Sequence, residues 1–471
     1  MLLFIGQDNK KNNIYIPEKG LYQNILITGT IGCGKTSSAM YPFTNQLINY
    51  KFYDPNNKIG MLILDVKGNY YKEVINMCKK NNRLNDLIIL GLHGKYKYNP
   101  LNKPELKPSI IANRLKTILL LFSKNNSESY WLDKVEQILT ESIILCRLYN
   151  ENYVTFDEIH KLTTIPDYYF KKINYLRKFF LNNTFTVEET YNLLNAIKFF
   201  EDEYWKLDSR TLSILQSEIT RITYLFISDY EVNKSFNPKK EEENFYGFKE
   251  VIEKGKIVVL NMNISQYKNL SKLIAAYLKL DFQTEAMLRL SNNSIYKRPI
   301  AFICDEYHEY ITPNDSDFFS QSREAKCINI VSTQSYNSLL NTLKDNTNLH
   351  IILQSLVNKI WFRTDDIFTI EEIQKQLGKE NKEHFTKTIS ENSEDTKYNF
   401  ITSSFKSKKS NISESISKSY QKEYIYDTSF FTKDLNTFNA LIYISNGINI
   451  TPSQKINLIP YFNKRWYYEK K

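Results

Sequence analysis

Gly29-Thr30-Ile31-Gly32-Cys33-Gly34-Lys35-Thr36 is the stretch that decides the fold. The apolar run Ile25-Leu26-Ile27-Thr28 precedes it, and a segment that reads as a helix follows. Strand, G-x-x-x-x-G-K-[ST] loop and helix, in that order, are a phosphate-cradling P-loop in its structural context. The chemistry requires this arrangement. Small residues let successive backbone N–H groups curl around a phosphate, and the helix N-terminus adds its dipole. Lys35 reaches the β- and γ-oxygens in this reading, and the Thr36 hydroxyl ligates Mg²⁺. The expected nucleotide-binding residues are Gly29, Thr30, Gly32, Cys33, Gly34, Lys35, Thr36 and Ser37. With only 13 glycines in 471 residues, a chance match is rare. The loop alone specifies ATP or GTP and little more.

Outward from this loop, apolar runs alternate with helical stretches. Met61-Leu62-Ile63-Leu64-Asp65, Leu87-Ile88-Ile89-Leu90, Ile257-Val258-Val259-Leu260, Ile300-Ala301-Phe302-Ile303-Cys304 and Ile328-Asn329-Ile330-Val331 read as strands. So do Lys359-Ile360-Trp361-Phe362 and Ala440-Leu441-Ile442-Tyr443-Ile444, and Leu270 to Leu290 reads as a long helix. Such runs mark a mostly parallel sheet buried on both faces. Residues 1–24 form a short β-rich lead-in. From about 105 to 245 no run reads as a buried strand. There apolar residues recur at helical spacing, as in Ile111/Leu115/Ile118/Leu119 and Trp131/Val135/Ile138/Leu139/Ile143. The expected class is α/β, a RecA-like P-loop domain in two parts, 1–104 and 246–471, with an all-α insertion at 105–245. Residues 389–422 are rich in Ser and Lys, and read as a flexible linker or a solvated hairpin.

A net charge of +10 leans toward a polyanionic partner such as nucleic acid or an acidic membrane surface, although Lys-rich composition explains it as well. Five scattered cysteines without a C-x-x-C pair exclude a zinc site and a disulfide frame and suit a reducing cytosol. The opening Met1-Leu2-Leu3-Phe4-Ile5 lacks the basic region of a signal peptide. The run Ile118 to Phe122 is far short of the ~20 apolar residues of a membrane span. A soluble, cytoplasmic chain is expected.

Hydrolysis needs a metal-ligating acid, a water-orienting group and a γ-phosphate sensor. The strand 300–304 ends in Asp305-Glu306, a Walker B pair: Asp305 for Mg²⁺ beside Thr36, Glu306 to orient water. Gln334 ends the next strand, where its amide would touch γ-phosphate and water. Arg323 lies just before that strand and reads either as an arginine finger across a subunit boundary or as a surface arginine. Asp65 and Lys67 close the second strand, read as lying beside the P-loop, and are accessory candidates or a capped turn. His308 is read as structural, and the other histidines suggest no metal site.

In their order along the chain, these signals resemble the conjugative coupling ATPases of type IV secretion systems, the TraG/TraD group within the FtsK/HerA class of DNA pumps. The residues that carry the resemblance are Gly29–Thr36, Asp65-Val66-Lys67-Gly68, Asn99-Pro100-Leu101, Tyr130-Trp131, Arg210-Thr211-Leu212-Ser213-Ile214, Ile303-Cys304-Asp305-Glu306, Ser322-Arg323 and Ser332-Thr333-Gln334-Ser335. The resemblance implies a ring, usually a hexamer, that hydrolyses ATP with Mg²⁺ and moves DNA through a central pore. It also implies relaxase or secretion-channel partners. Its roles fall on Lys35 and Thr36 for phosphates and Mg²⁺, Asp305 for metal, Glu306 as catalytic carboxylate, Gln334 as sensor and Arg323 as trans-acting finger. Members commonly begin with transmembrane helices, and no such segment is read here; either a separate membrane subunit recruits the chain to the inner face of the membrane, or the chain serves a plasmid, phage or integrated element in the cytosol. A packaging or HerA-like processing ATPase, and a nucleotide-dependent scaffold or switch without pumping, remain as alternatives. The basic clusters Lys171-Lys172, Arg177-Lys178 and Lys406 to Lys409 are as easily solvated faces as DNA contacts.

Overall fold

The apolar runs become the centre of an 11-stranded sheet in a computed structural model. It describes residues 1–122, 129–182, 185–291, 298–392, 397–399, 404–406 and 411–463. Two compact units result: Met1–Phe362 with Asn436–Lys471, and Arg363–Leu435.

In the first unit the strands are β1 Leu2–Gln7, β2 Asn13–Pro17, β3 Ile25–Thr28, β4 Gly60–Leu64, β5 Leu87–Gly91, β6 Ile257–Asn261, β7 Ile300–Cys304, β8 Cys327–Thr333 and β9 Asn358–Trp361. In the second they are β10 Lys379–Asn392, β11 Lys397–Asn399, β12 Ser404–Lys406 and β13 Asn411–Tyr424; β14 Asn439–Tyr443 and β15 Gln454–Asn457 return to the first. The large sheet runs β2-β1-β15-β14-β9-β3-β8-β7-β4-β6-β5. From β9 to β5 all neighbours are parallel; β14, β15, β1 and β2 add an antiparallel wing. This is the RecA-like α/β architecture expected from the runs. The order also corrects one reading: β4, which leads into Asp65, does not flank the P-loop strand. β8 and β7 intervene, so the Walker B strand stands closer to the loop than Asp65 does.

Every residue of β3, β4, β7, β8 and β9 is buried. On one face, Ile25, Ile27, Ile63, Ile303 and Ile330 pack with Met40, Phe43 and Leu47 from the helical segment behind the loop. Burial on both faces is why these strands read as continuous apolar runs without alternation.

Between β5 and β6 the described residues form helices and no strand, beginning with Pro108–Phe122 and Ser129–Tyr149 and ending with Ser209–Ile227 and Tyr230–Phe236. Ile111, Leu115, Ile118, Leu119, Val135, Ile138, Leu139 and Ile143 are all buried, as their spacing demands. The starts are capped by side chains: Thr155, Asp208 and Asp229 accept from N–H groups of the first turn, and Thr186 with Glu189 forms a capping box. This helical stretch belongs to the first compact unit.

A buried polar joint ties the root of that stretch to the long helix Ile264–Ser291. Asp281 accepts from Lys103 Nζ at 2.8 Å, Arg114 Nη1 at 2.9 Å and Tyr98 OH at 2.7 Å. The two cations hold the Asp281 carboxyl below the usual range against the opposing effect of burial, which is the largest single influence on it. The Asn99 amide donates to Val154 O at 2.8 Å, and Tyr277 OH donates to Pro100 O at 2.5 Å, so Asn99-Pro100-Leu101 anchors the same joint. Removing one partner of such a cluster strands buried charge. Asp281→Ala is expected to cost about 3–5 kcal/mol, read as a lowered midpoint in urea unfolding.

In the second unit, β10 and β13 pair antiparallel over their whole length, from Lys379↔Tyr424 to Asn392↔Asn411. The Ser/Lys-rich stretch read as linker or hairpin is therefore a hairpin in its described part. Of the Lys406–Lys409 cluster, residues 407–409 lie outside the described residues. All five cysteines are buried, and none is in a disulfide. No described helix is long and apolar enough to cross a membrane.

Candidate nucleotide site

The loop lies between the carboxyl end of β3 and the helical turn Thr36–Met40, which runs on into the helix Tyr41–Asn49. Its base is tied to β8 by Gly29 N–H donating to Thr333 O at 3.3 Å. Gly34 has φ +101°, and a Cβ there would lie 2.5 Å from the Phe438 ring, so both backbone and neighbour require glycine. Lys35 is 6% exposed, and its Nζ donates to Gly29 O at 2.5 Å and Thr30 O at 3.2 Å. Ser37 and Ser38 hydroxyls both turn back to Gly34 O, at 3.3 and 2.8 Å.

The β3–β8–β7 order brings the Walker B carboxylate to this loop. Thr36 Oγ1 donates to Asp305 Oδ2 at 2.8 Å, while the Ser332 hydroxyl donates to Oδ1. One oxygen of Asp305 is thus fixed by β8 and the other aimed at the loop threonine. Glu306 occupies left-handed backbone space, φ 52° and ψ 48°, a conformation that costs a non-glycine residue about 1–3 kcal/mol and gathers at functional sites. Its N–H is held by Asp305 Oδ1 at 3.2 Å and Ser332 Oγ at 3.3 Å. The Gln334 side chain lies near enough to the Glu306 carboxyl to favour its charged form. Burial pushes the Glu306 carboxyl up, and the Asp305 charge adds to this; Lys35, the Gln334 side chain and Lys67 oppose it. Glu306 Oε2 is buried without a hydrogen-bond partner. A buried carboxylate oxygen left unpaired beside a loop threonine is the arrangement a water-orienting group requires.

The other sequence candidates divide. Asp65 is buried, but its carboxylate accepts from the N–H groups of Lys67, Asn69 and Tyr70, each at 2.9 Å. It caps its own turn and the helix Tyr70–Lys80. Burial raises its pKa, those three bonds oppose the shift, and the Asp305 charge adds to it. Lys67 is exposed and acts on Glu306 through charge alone. Arg323 stands before β8, whereas the P-loop follows the carboxyl end of the parallel β3. Seven strand residues at about 3.3 Å each put it about 20 Å from its own chain's loop. There it is exposed and donates to Gly447 O at 3.5 Å. In the basic clusters, Arg177 pairs with Glu201 at 2.9 Å and Lys172 lies 3.6 Å from Glu158.

Three contacts were not legible beforehand. His308, read as structural and partnerless, has Nδ1 3.6 Å from Glu306 Oε2 and 3.4 Å from Thr333 Oγ1, with Nε2 3.6 Å from Glu309. Burial lowers its pKa against the opposing charge of Glu309, so the neutral ring is favoured beside Glu306. Ser332 holds Asp305, a role its place in Ser332-Thr333-Gln334-Ser335 only hinted at. From the far end of the chain, Phe438 N–H donates to Cys33 O at 3.1 Å and Tyr461 N–H to Ser37 O at 2.8 Å.

This architecture has known counterparts. The unbound monoclinic form of the bacterial conjugative coupling protein TrwBdeltaN70 superposes with a TM-score of 0.61 at 14% identity, over 95% of this chain and 87% of that one. The chain has the coupling-protein fold. The plasmid coupling protein TrwB in complex with ADP and Mg²⁺ matches equally, TM-score 0.61 at 14% identity, over 95% and 88% of the two chains. VirB4 of Thermoanaerobacter pseudethanolicus matches at 0.54 and 13% identity, over 97% and 96%. In sequence, residues 299–425 match the family model TraG-D_C, the TraM recognition site of TraD and TraG. That range contains β7, the Asp305-Glu306 pair, β8 and Gln334. No curated protein matches the chain by sequence. The resemblance to the TraG/TraD group of coupling proteins, first read from scattered motifs, is thus supported both by the matched segment and by the coupling-protein fold.

Proposed function

We propose that the chain is an ATP-hydrolysing motor that moves DNA for a conjugative type IV secretion machine. The observation that carries this is the convergence of Thr36 and Asp305 at 2.8 Å next to Glu306, whose Oε2 is buried without a hydrogen bond. Among the described residues no group of three or more His, Cys, Asp or Glu gathers as a metal site. One hydroxyl and one carboxylate fit Mg²⁺, which keeps several waters and takes its remaining ligands from substrate phosphates. Thr36 and Asp305 would hold it, and it would supply charge neutralisation at the β- and γ-oxygens.

The chain's own groups then have separate tasks. Lys35 binds phosphate oxygens, Glu306 orients the attacking water and accepts its proton, and Gln334, at the end of β8 near Glu306, senses the γ-phosphate. Arg323 stands at the amino-terminal end of the parallel strands, opposite its own chain's loop, which favours action on a neighbouring subunit in a ring. We further assign 1–104 and 246–471 to the motor and 105–245 to an all-α domain rooted at Asn99-Pro100-Leu101. TrwB structures with ADP and Mg²⁺ and with a non-hydrolysable ATP analogue support the nucleotide assignment.

The test is strand displacement by the full chain with Mg²⁺-ATP, using a third strand annealed to duplex DNA and streptavidin on biotinylated single-stranded DNA. Displacement of either that requires ATP and disappears in Glu306→Gln is expected. Release from neither, by protein that hydrolyses ATP, would refute DNA movement.

A further inference from the structure

The carboxyl-terminal return of the chain is fastened to the P-loop in a way the phosphate chemistry does not need. Phe438, itself left-handed at φ 67°, lays its ring against Gly34 and is bonded to Cys33. Tyr461 is bonded through its N–H to Ser37 O, and its ring meets Tyr41 edge-on at 5.0 Å. Between these anchored residues Phe462 stands 60% exposed, 6.1 Å from the Phe438 centroid and 5.6 Å from that of Tyr461. Folding gains little from leaving a phenylalanine there in water.

The polarity of a P-loop says what lies beside it. The loop cradles the α- and β-phosphates, and its lysine and Thr/Ser hydroxyl serve the β/γ end and the metal. The nucleoside therefore leaves the phosphate chain on the α side, toward the residues that follow Thr36. Ser37 is the first of them, and Tyr461–Phe462 is the segment bonded to it.

We propose that Phe462, backed by Phe438, is the stacking platform for the nucleobase. This rests on the nucleotide reading of Gly29–Ser37. The ligand is the planar heterocycle of a nucleoside triphosphate. Among the described residues the rings beside Phe462 are those of Phe438 and Tyr461; stacking on a phenyl face tolerates any base, so adenine and guanine are accepted alike.

Calorimetric titration of the full chain with ATP, GTP and inorganic tripolyphosphate, each with Mg²⁺, separates the parts. Phe462→Ala is expected to weaken ATP and GTP about tenfold each and to leave tripolyphosphate and the melting temperature unchanged. Phe462→Trp is expected to retain both nucleotides. Unchanged ATP affinity in Phe462→Ala would overturn the platform, as would equal weakening of all three ligands, which would mean that Phe462 only shapes the loop. Wild-type protein that binds none of the three would overturn the nucleotide reading itself, a result distinct from either.

Discussion

Glu306→Gln is expected to stop hydrolysis while ATP still binds. The substitution keeps the shape and the room for the Gln334 contact but removes the group that accepts a proton from water. Loss of a positioned general base costs about 10²–10⁴-fold in rate, so phosphate release should fall at least 100-fold with nucleotide affinity within a few-fold of wild type. The pH dependence has a determined sign. Burial and the Asp305 charge raise the Glu306 pKa in the fold. The working form is the carboxylate, so activity falls as pH drops through a value above the ordinary glutamate pKa of about 4.3. A raised folded-state pKa contributes stability below the unfolded pKa, and that contribution is lost as pH rises through the folded value. Glu306→Gln should therefore melt higher than wild type at neutral pH and show no such gain near pH 4. Hydrolysis by Glu306→Gln at the wild-type rate would remove this carboxylate from the mechanism.

Lys35→Ala is expected to abolish turnover and to weaken nucleotide binding as well. The Lys35 ammonium is buried and donates to Gly29 O and Thr30 O. A charge-assisted bond of about 1.5–3 kcal/mol corresponds to about 10- to 150-fold in affinity, and the loss at the transition state adds to it. The two variants thus separate by binding: Lys35→Ala loses it and Glu306→Gln keeps it, measured with a fluorescent ATP analogue.

The parallel half of the sheet was readable because each strand is buried on both faces and so carries an uninterrupted apolar run. β15 was not: Gln454–Asn457 buries only Ile456 fully and has no run to show. The helix read as Leu270 to Leu290 begins earlier, at Ile264, because Asn263 accepts from Ser265 N–H and Ile264 N–H bonds Val66 O, contacts that apolar spacing does not report. The hairpin strands alternate, with Phe385, Ile389, Ile416 and Tyr420 largely exposed among Ser, Thr and Lys, so their composition alone fits linker and hairpin equally. At the candidate site, Thr36 and Asp305 could be paired from the sequence because phosphate and metal chemistry restricts such positions to a few residue types, and the fold brings them to 2.8 Å. Asp65 was placed beside the loop because local sequence does not encode strand order. Phe438 and Tyr461 reach the loop from more than 400 residues away, and His308 meets Glu306 only because Glu306 turns left-handed.

The central claim, that this site hydrolyses ATP in the service of DNA movement, is tested most directly by phosphate release from Mg²⁺-ATP by the full chain, with and without single- and double-stranded DNA. The account predicts turnover that DNA stimulates, that falls with rising salt as phosphate contacts are lost, and that stays at background in Glu306→Gln. Release indifferent to both forms of DNA, or no release above the Lys35→Ala background, would contradict it.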